Sequence, residues 1–280
     1  MSASYLFGVD LEDVRPQAPG GAAYAPRVAH NVARYLDFLR RHDARGTFFV
    51  VGEVARAEPD LIRRIAGEGH EIACHSDRHV PLDRQDPAAF RDDVSRNVEA
   101  LLDAGATRVD GYRAPCFSLT EATRWAWPVL AELGFTWSSS VLPARSPLYG
   151  WPGFGEAPRL VDGVLELPMT LLPWRLLPVP MGGGIYLRTL PTALLRRALA
   201  ARRDAGEAVL GYVHPYDIDA EQERFAHPGF ARWSPYNWLM YANRAAMMDR
   251  LDMVAALGFA IVPYGGYARA VRGSGGDTGG

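Results

Sequence analysis

The chain has 280 residues, 48% of them hydrophobic, enough for one large core or two small ones. Its net charge of -2 gives no general attraction to nucleic acid or to an anionic membrane. All 30 basic residues are arginines, which excludes a lysine Schiff base or a lysine general base. The two cysteines, Cys74 and Cys116, make no disulfide framework and read as buried neutral thiols. Met1 leads almost directly into the apolar run Tyr5–Val9, without a basic leader, a long apolar stretch or a cleavage pattern. No uninterrupted apolar run reaches the ~20 residues of a membrane span. A cytoplasmic protein with neither a membrane span nor a nucleic-acid partner is expected.

In chain order, Tyr5–Val9 predicts a strand, and Val28, Val32, Tyr35, Leu36 and Leu39 share one helical face. Thr47–Val51 reads as a buried strand, Leu61–Ile65 as a short helix and Glu71–Cys74 as a third strand. A helix through Phe90, Val94, Val98 and Leu101 ends near Gly105. Arg108–Tyr112 is a fourth strand, Glu121–Leu133 a helix stopped at Gly134, and Phe135–Ser138 a fifth strand. The region 141–190 is irregular and rich in Pro, Gly and Trp, with a strand near Leu165–Leu167 and a turn at Gly182-Gly183-Gly184. It reads as an insertion that shapes a binding site. A helix at 191–203, a strand at Ala208–Val213, a last helix at 243–257 and a strand at Ala260–Val262 follow. We expect one domain over 1–272 and a disordered tail over 273–280. The alternation of strand and helix implies a parallel sheet, open or closed into a barrel, whose ligands gather at the carboxyl ends of the strands.

Asp10, His75 and Arg113 all fall at such ends. His75-Ser76-Asp77-Arg78-His79 places two imidazoles four residues apart just past a strand. With a carboxylate they would make a three-ligand divalent metal site open to water. The acidic run Asp10-Leu11-Glu12-Asp13 supplies carboxylates at another strand end. Asp10, directly at the end, is best placed as a general base; spacing does not choose between Asp13 and Glu12 as ligand. Arg113, in Gly111-Tyr112-Arg113-Ala114-Pro115-Cys116-Phe117, could orient a catalytic carboxylate. His214, ending Val209–Val213, could protonate a leaving group.

Together and in this order, these segments resemble the polysaccharide deacetylases with a NodB homology domain, the carbohydrate esterase family 4 type. The match runs over roughly residues 4–264. It rests on His75, Ser76 and His79, on Arg113-Ala114-Pro115, on Leu210–His214 and on Asp10–Asp13. Further likeness points to a subgroup tied to exopolysaccharide and surface-glycan loci. It is carried by Val9–Asp13, Ser139–Pro143 with Tyr149–Pro152, Gly182–Tyr186 and Tyr212–Asp217.

The resemblance implies a distorted (β/α)7 barrel and removal of an acetyl group from a sugar at a metal site, usually zinc. Carried over residue by residue, Asp10 is the base. Asp13, or Glu12 in its place, binds the metal with His75 and His79. The backbone N–H of Cys116 faces the oxyanion, Arg113 orients Asp10 and His214 protonates the departing amine. The first motif departs from the family's adjacent Asp-Asp. Ser138 stands where the family commonly has an Asp that tunes the catalytic His, leaving Asp217 and Glu166 as candidate partners of His214. The implied substrate is an N-acetylated sugar of surface-polysaccharide assembly, nucleotide-linked, lipid-linked or an oligosaccharide. Tyr186, Trp151, Trp233 and Tyr216 are the expected sugar-facing aromatics. Two rival readings are an amidohydrolase acting on a small formamide or ureide without metal, and a non-catalytic carbohydrate-binding relative.

Overall fold

The computed structural model describes residues 3–174, 178–226 and 231–275. Its centre is β1 (Ser4–Leu11), buried over nearly its whole length. One side of β1 pairs in parallel with β8 (Val209–Val213). β2 (Thr47–Val50) pairs with Gly8–Leu11, and β9 (Ala260–Val262) takes Ser4–Leu6, so the two share the length of β1. β3 (Glu71–Cys74), β4 (Gly111–Tyr112) and β5 (Trp137–Ser138) extend the parallel sheet from β2. The far edge is a hairpin of β6 (Arg159–Val161) and β7 (Val164–Glu166), giving the order β6-β7-β5-β4-β3-β2-β1-β8. Its tip, Asp162-Gly163, has two positive φ angles, 47° and 87°, as a tight hairpin turn demands. The sheet curls into a half-barrel flanked by helices, the expected α/β fold of the distorted (β/α)7 type.

The strand period of two sorts β1 into two faces. Tyr5, Phe7, Val9 and Leu11 face outward into the larger core, against Val32, Tyr35 and Leu39 of α1 (Val28–Arg41). Leu6 faces the barrel interior with Phe49, Trp137, Leu210 and Tyr264. Asp10 has the parity of Leu6 and Gly8, so the strand aims it inward at its carboxyl end. The floor of the barrel is closed by α10 (Tyr264–Gly275), a helix beyond the one expected to be last. Thr47 Oγ1 and Glu71 Oε2 accept the N–H groups of Tyr264 and Gly265, each at 2.8 Å, satisfying the helix start.

Several elements differ from expectation. α2 (Gly52–Ala57) precedes α3 (Pro59–Gly67), where one short helix was expected. The helix expected over Glu121–Leu133 is a 3-10 turn, Glu121–Thr123, followed by α5 (Ala126–Glu132). The triple glycine is the entry to α6 (Gly184–Thr189) rather than a simple turn. A Cβ on Gly182, Gly183 or Gly184 would collide with Leu210 O, the Tyr212 ring or the Asp217 carboxylate, so the run lets this helix lie tight against β8. α7 (Thr192–Asp204) and α9 (Met247–Ala256) occupy the expected regions. α4 (Pro87–Asp103) opens with a proline and an Asp86 cap whose carboxylate accepts Ala89 N–H at 2.8 Å. Of the expected tail, residues 273–275 belong to α10, and 276–280 lie outside the described residues. No helix among the described residues is long and apolar enough to cross a membrane.

Candidate active site

Arg113 follows β4 and is fully buried. Its Nη1 donates to Asp10 Oδ1 at 2.6 Å, its Nε to Ser139 O at 3.0 Å and its Nη2 to Ser139 Oγ at 3.2 Å. The guanidinium lies 3.8 Å from the centroid of the Phe49 ring. Burial alone would lower its pKa, but Asp10 and Tyr264 raise it, so the guanidinium stays charged. The backbone carbonyl of Arg113 also meets His75 Nδ1 at 2.8 Å. That contact makes Nδ1 the protonated nitrogen and leaves Nε2 with its lone pair. Burial, then the neighbouring His79, holds the His75 pKa well below the ordinary range, so the ring is neutral.

The turn carrying both histidines is wound tightly. Ser76 and His79 have φ of 65° and 56°, left-handed values uncommon outside glycine. Ser76 Oγ accepts His79 N–H at 2.8 Å. From α4, Asp93 accepts Asp77 N–H at 2.8 Å and Asn97 Nδ2 donates to Val50 O and Ser76 O. These contacts bring the imidazoles edge to face, with centroids 4.9 Å apart.

Glu12 completes the cluster. Its Oε2 is 3.1 Å from His79 Nε2, and its Oε1 is 3.4 Å from His214 Nε2 and accepts from Tyr216 O–H at 3.2 Å. Burial would raise its pKa, but His79, His214 and His75 bring it below the usual value. Asp13, the first choice as ligand, is elsewhere. It accepts from Arg15 Nε at 2.7 Å and from Arg15 N–H at 3.0 Å. The reason is parity: Glu12 continues the inward series of Asp10, and Asp13 turns outward. Two neutral-capable imidazoles and a carboxylate are a donor set whose chemistry suits a divalent ion such as zinc. Among the described residues, no three His, Cys, Asp or Glu side chains are arranged as they stand to hold one.

His214 ends β8. Its Nδ1 is 2.9 Å from Asp217 Oδ2, and its Nε2 lies 4.0 Å from Asp10 Oδ2. Its ring stacks on Tyr216, centroids 4.5 Å apart. Burial lowers the His214 pKa, yet the hydrogen bond and charge of Asp217, with Glu12 and Asp10, bring it up to about 9. Asp217 is buried and held below its usual pKa against the effect of burial, first by Arg188, whose Nε donates to Oδ1 at 2.9 Å. Glu166, the other candidate partner, is remote. It accepts the N–H groups of Ser140 and Val141 at 2.7 and 2.9 Å and Trp127 Nε1 at 3.2 Å, anchoring the chain after β5.

A cavity of about 260 Å³ joins these groups; Asp10, Glu12, His75, His79, Cys116 and His214 form its polar end. Cys116 and Phe117 carry φ of 55° and 54°, so the backbone doubles back at the cavity wall. Burial, then Glu12 and Asp10, pushes the Cys116 thiol up to about 12, leaving it uncharged. Of the expected sugar-facing aromatics, Tyr186 and Tyr216 line the cavity. Trp151 does not; it packs in a core with Trp127 and Phe154, at centroid distances of 5.9 and 4.9 Å. Trp233 is also absent from the cavity wall and is 88% exposed. Sequence reasoning missed Arg188, which nothing in the local pattern of α6 sets apart from a surface arginine.

Comparison with known proteins follows this geometry. Residues 23–137 match the polysaccharide deacetylase family, and residues 139–261 match a domain of unknown function, DUF3473. The polysaccharide deacetylase match covers 115 of the 280 residues. A chitooligosaccharide deacetylase of Bradyrhizobium sp. (strain ANU 289) is 42% identical over 69 residues, 25% of this chain and 32% of that protein. A peptidoglycan-N-acetylglucosamine deacetylase of Bacillus cereus is 36% identical over 84 residues, 30% of this chain and 28% of that protein. The aligned stretch thus spans about a third of the length of these curated relatives. A crystal structure assigned to the polysaccharide deacetylases, from Mycobacterium smegmatis, superposes with a TM-score of 0.65 at 24% identity, covering 98% of this chain and 91% of that one. A family 4 carbohydrate esterase pseudoenzyme from Bacillus anthracis superposes with a TM-score of 0.54 at 11% identity, covering 95% and 66%. These likenesses establish the fold.

Proposed function

We propose that this chain is a hydrolase that removes the N-acetyl group from a sugar, releasing acetate and a free amine. One observation carries the reading: two buried charge pairs, Asp10–Arg113 and His214–Asp217, bring Asp10 and His214 side by side onto one cavity wall, 4.0 Å apart. Asp10, oriented by Arg113, takes a proton from the attacking water. His214, kept protonated and oriented by Asp217, gives a proton to the departing nitrogen. The backbone N–H of Cys116 faces the oxygen on which negative charge develops. His75, His79 and Glu12 are the residues that would hold a divalent ion, most simply zinc. Such an ion supplies Lewis acidity and lowers the pKa of water toward ~7.

Asp10 and Glu12 precede both family matches, and the other residues of the reading fall into one or the other. His75, His79 and Arg113 lie in the polysaccharide deacetylase match, and Arg188, His214 and Asp217 lie in the DUF3473 match. In this reading the second segment supplies the acid half of the centre.

The test is acetate release from nucleotide-linked, lipid-linked and oligomeric N-acetyl sugars by zinc-loaded protein. Loss of activity with a chelator and its return with zinc support the proposal. Asp10→Asn is expected to abolish turnover with metal content intact. No acetate from any of these substrates by zinc-loaded protein would overturn it, and metal-independent cleavage of a formamide would favour the small-amide reading.

A further inference from the structure

The polar groups are only part of the cavity lining. Its wall also carries the apolar side chains Leu148, Ile185, Phe225, Leu239 and Met240, interspersed with Ser146, Tyr186, Arg188, Thr189 and Tyr236. Five apolar side chains are more than a sugar ring needs, since a sugar asks for one or two aromatic faces and many hydrogen bonds. Leu239 closes the short helix α8 (Pro235–Leu239), and that helix has no buried residue. Trp233, just before it, and Trp238, within it, are 88% and 68% exposed. Arg224 and Arg232 are also exposed on this segment. No Asp or Glu occurs anywhere between Arg224 and Met248, although acidic residues outnumber basic ones in the chain, 32 to 30.

Exposed tryptophans near exposed arginines are the composition of a surface that sits at a lipid headgroup layer. Arginines near an anionic bilayer are attracted to its surface charge, and the indole rings add apolar burial. Trp238 leads directly into Leu239 and Met240 of the cavity wall.

We propose that the edge formed by Arg224, Arg232, Trp233 and Trp238 docks on an anionic lipid surface, and that the sugar reacting in the cavity is carried on a lipid. Its apolar carrier leaves along the Ile185–Leu239–Met240 wall toward that surface. The substrate half rests on the deacetylase reading; the docking half does not.

The test has two arms. In the first, purified full-length protein is sedimented with phosphatidylcholine vesicles, with and without phosphatidylglycerol. Wild type is expected to bind the anionic vesicles, and Trp233→Ser with Trp238→Ser to weaken binding about tenfold. Both side chains are exposed, so an unchanged melting temperature will show that the fold is kept. Wild type remaining in the supernatant with both vesicle types overturns the proposal. Self-association lost in the double variant, without vesicle binding, assigns the edge to a second copy of the chain and also overturns it. In the second arm, acetate release is compared for methyl and dodecyl glycosides of N-acetylglucosamine. The proposal expects kcat/KM to rise about tenfold or more with the chain. Equal rates overturn the lipid carrier while the deacetylase reading stands. No acetate from either, with vesicle binding intact, counts against the deacetylase reading and leaves docking supported.

Discussion

Asp217 Oδ2 receives two hydrogen bonds from one residue, His214: its backbone N–H at 2.8 Å and its ring Nδ1 at 2.9 Å. The second oxygen of Asp217 is taken by Arg188 at 2.9 Å. The carboxylate therefore fixes both the position of the ring and the nitrogen that carries the proton, turning Nε2 toward Asp10 and Glu12. Asp217→Asn removes the charge and presents the wrong hydrogen-bonding group to Nδ1. We expect kcat for acetate release to fall by about 10²–10⁴-fold with little change in KM. A fall in kcat smaller than threefold, with the rate read against substrate concentration, would show that the ring needs no such partner.

Arg188 is buried, and it also donates to the carbonyls of Met240 at 3.2 Å and of Ala242. Arg188→Met leaves Asp217 charged with its Oδ1 deprived of the guanidinium, and only His214 opposite it. A loss of stability of about 3–5 kcal/mol is expected from urea unfolding. The double variant Arg188→Met/Asp217→Asn should recover part of that loss, because the buried charge has gone. Strictly additive effects would mean that the two residues are not coupled.

The residues gathered at the candidate site were legible because their chemistry restricts residue type and the fold restricts position. Asp10, His75, Arg113 and His214 all sit at carboxyl ends of parallel strands, where the sequence rhythm already located a site. The barrel was legible for the same reason. Glu12 was readable in principle: counting by twos from Leu6 through Gly8 and Asp10 lands on it and skips Asp13. Arg188 was not, since it lies 29 residues before Asp217 on another element and meets it only through the tertiary fold. The glycine run before α6 was misread because glycine signals a turn locally, whereas here its missing side chains serve close approach to β8 and Asp217. Trp151 and Trp233 show the limit of residue type alone: one filled a core and the other stayed on the surface.

The parity of β1 makes a direct prediction about metal. Glu12→Gln is expected to lower zinc affinity by about tenfold or more, and Asp13→Asn to leave it unchanged. Isothermal titration of metal-stripped protein measures both. The reverse pattern would restore Asp13 as the ligand and require the turn after Leu11 to rearrange.

Stability against pH should carry the mark of His70, far from the cavity. Its Nδ1 accepts Gly46 N–H at 3.3 Å, and its ring lies 5.5 Å from Phe48. Burial first, and then the charge of Arg45, bring its pKa down to about 4, against a smaller opposing effect of Glu68. A histidine in the unfolded chain titrates near ~6.5. Between these values the unfolded chain takes up a proton that the folded one refuses, so the contribution is complete above pH ~6.5 and is lost as pH falls toward the folded value. His70→Gln keeps an acceptor for Gly46 but does not titrate. Wild type should therefore be the more stable at pH 7, and its lead in melting temperature over His70→Gln should shrink by a few degrees as the buffer is taken down through that window. A lead that stays constant across the titration would mean that His70 is protonated alike in both states, and that its burial beside Arg45 does not govern its charge.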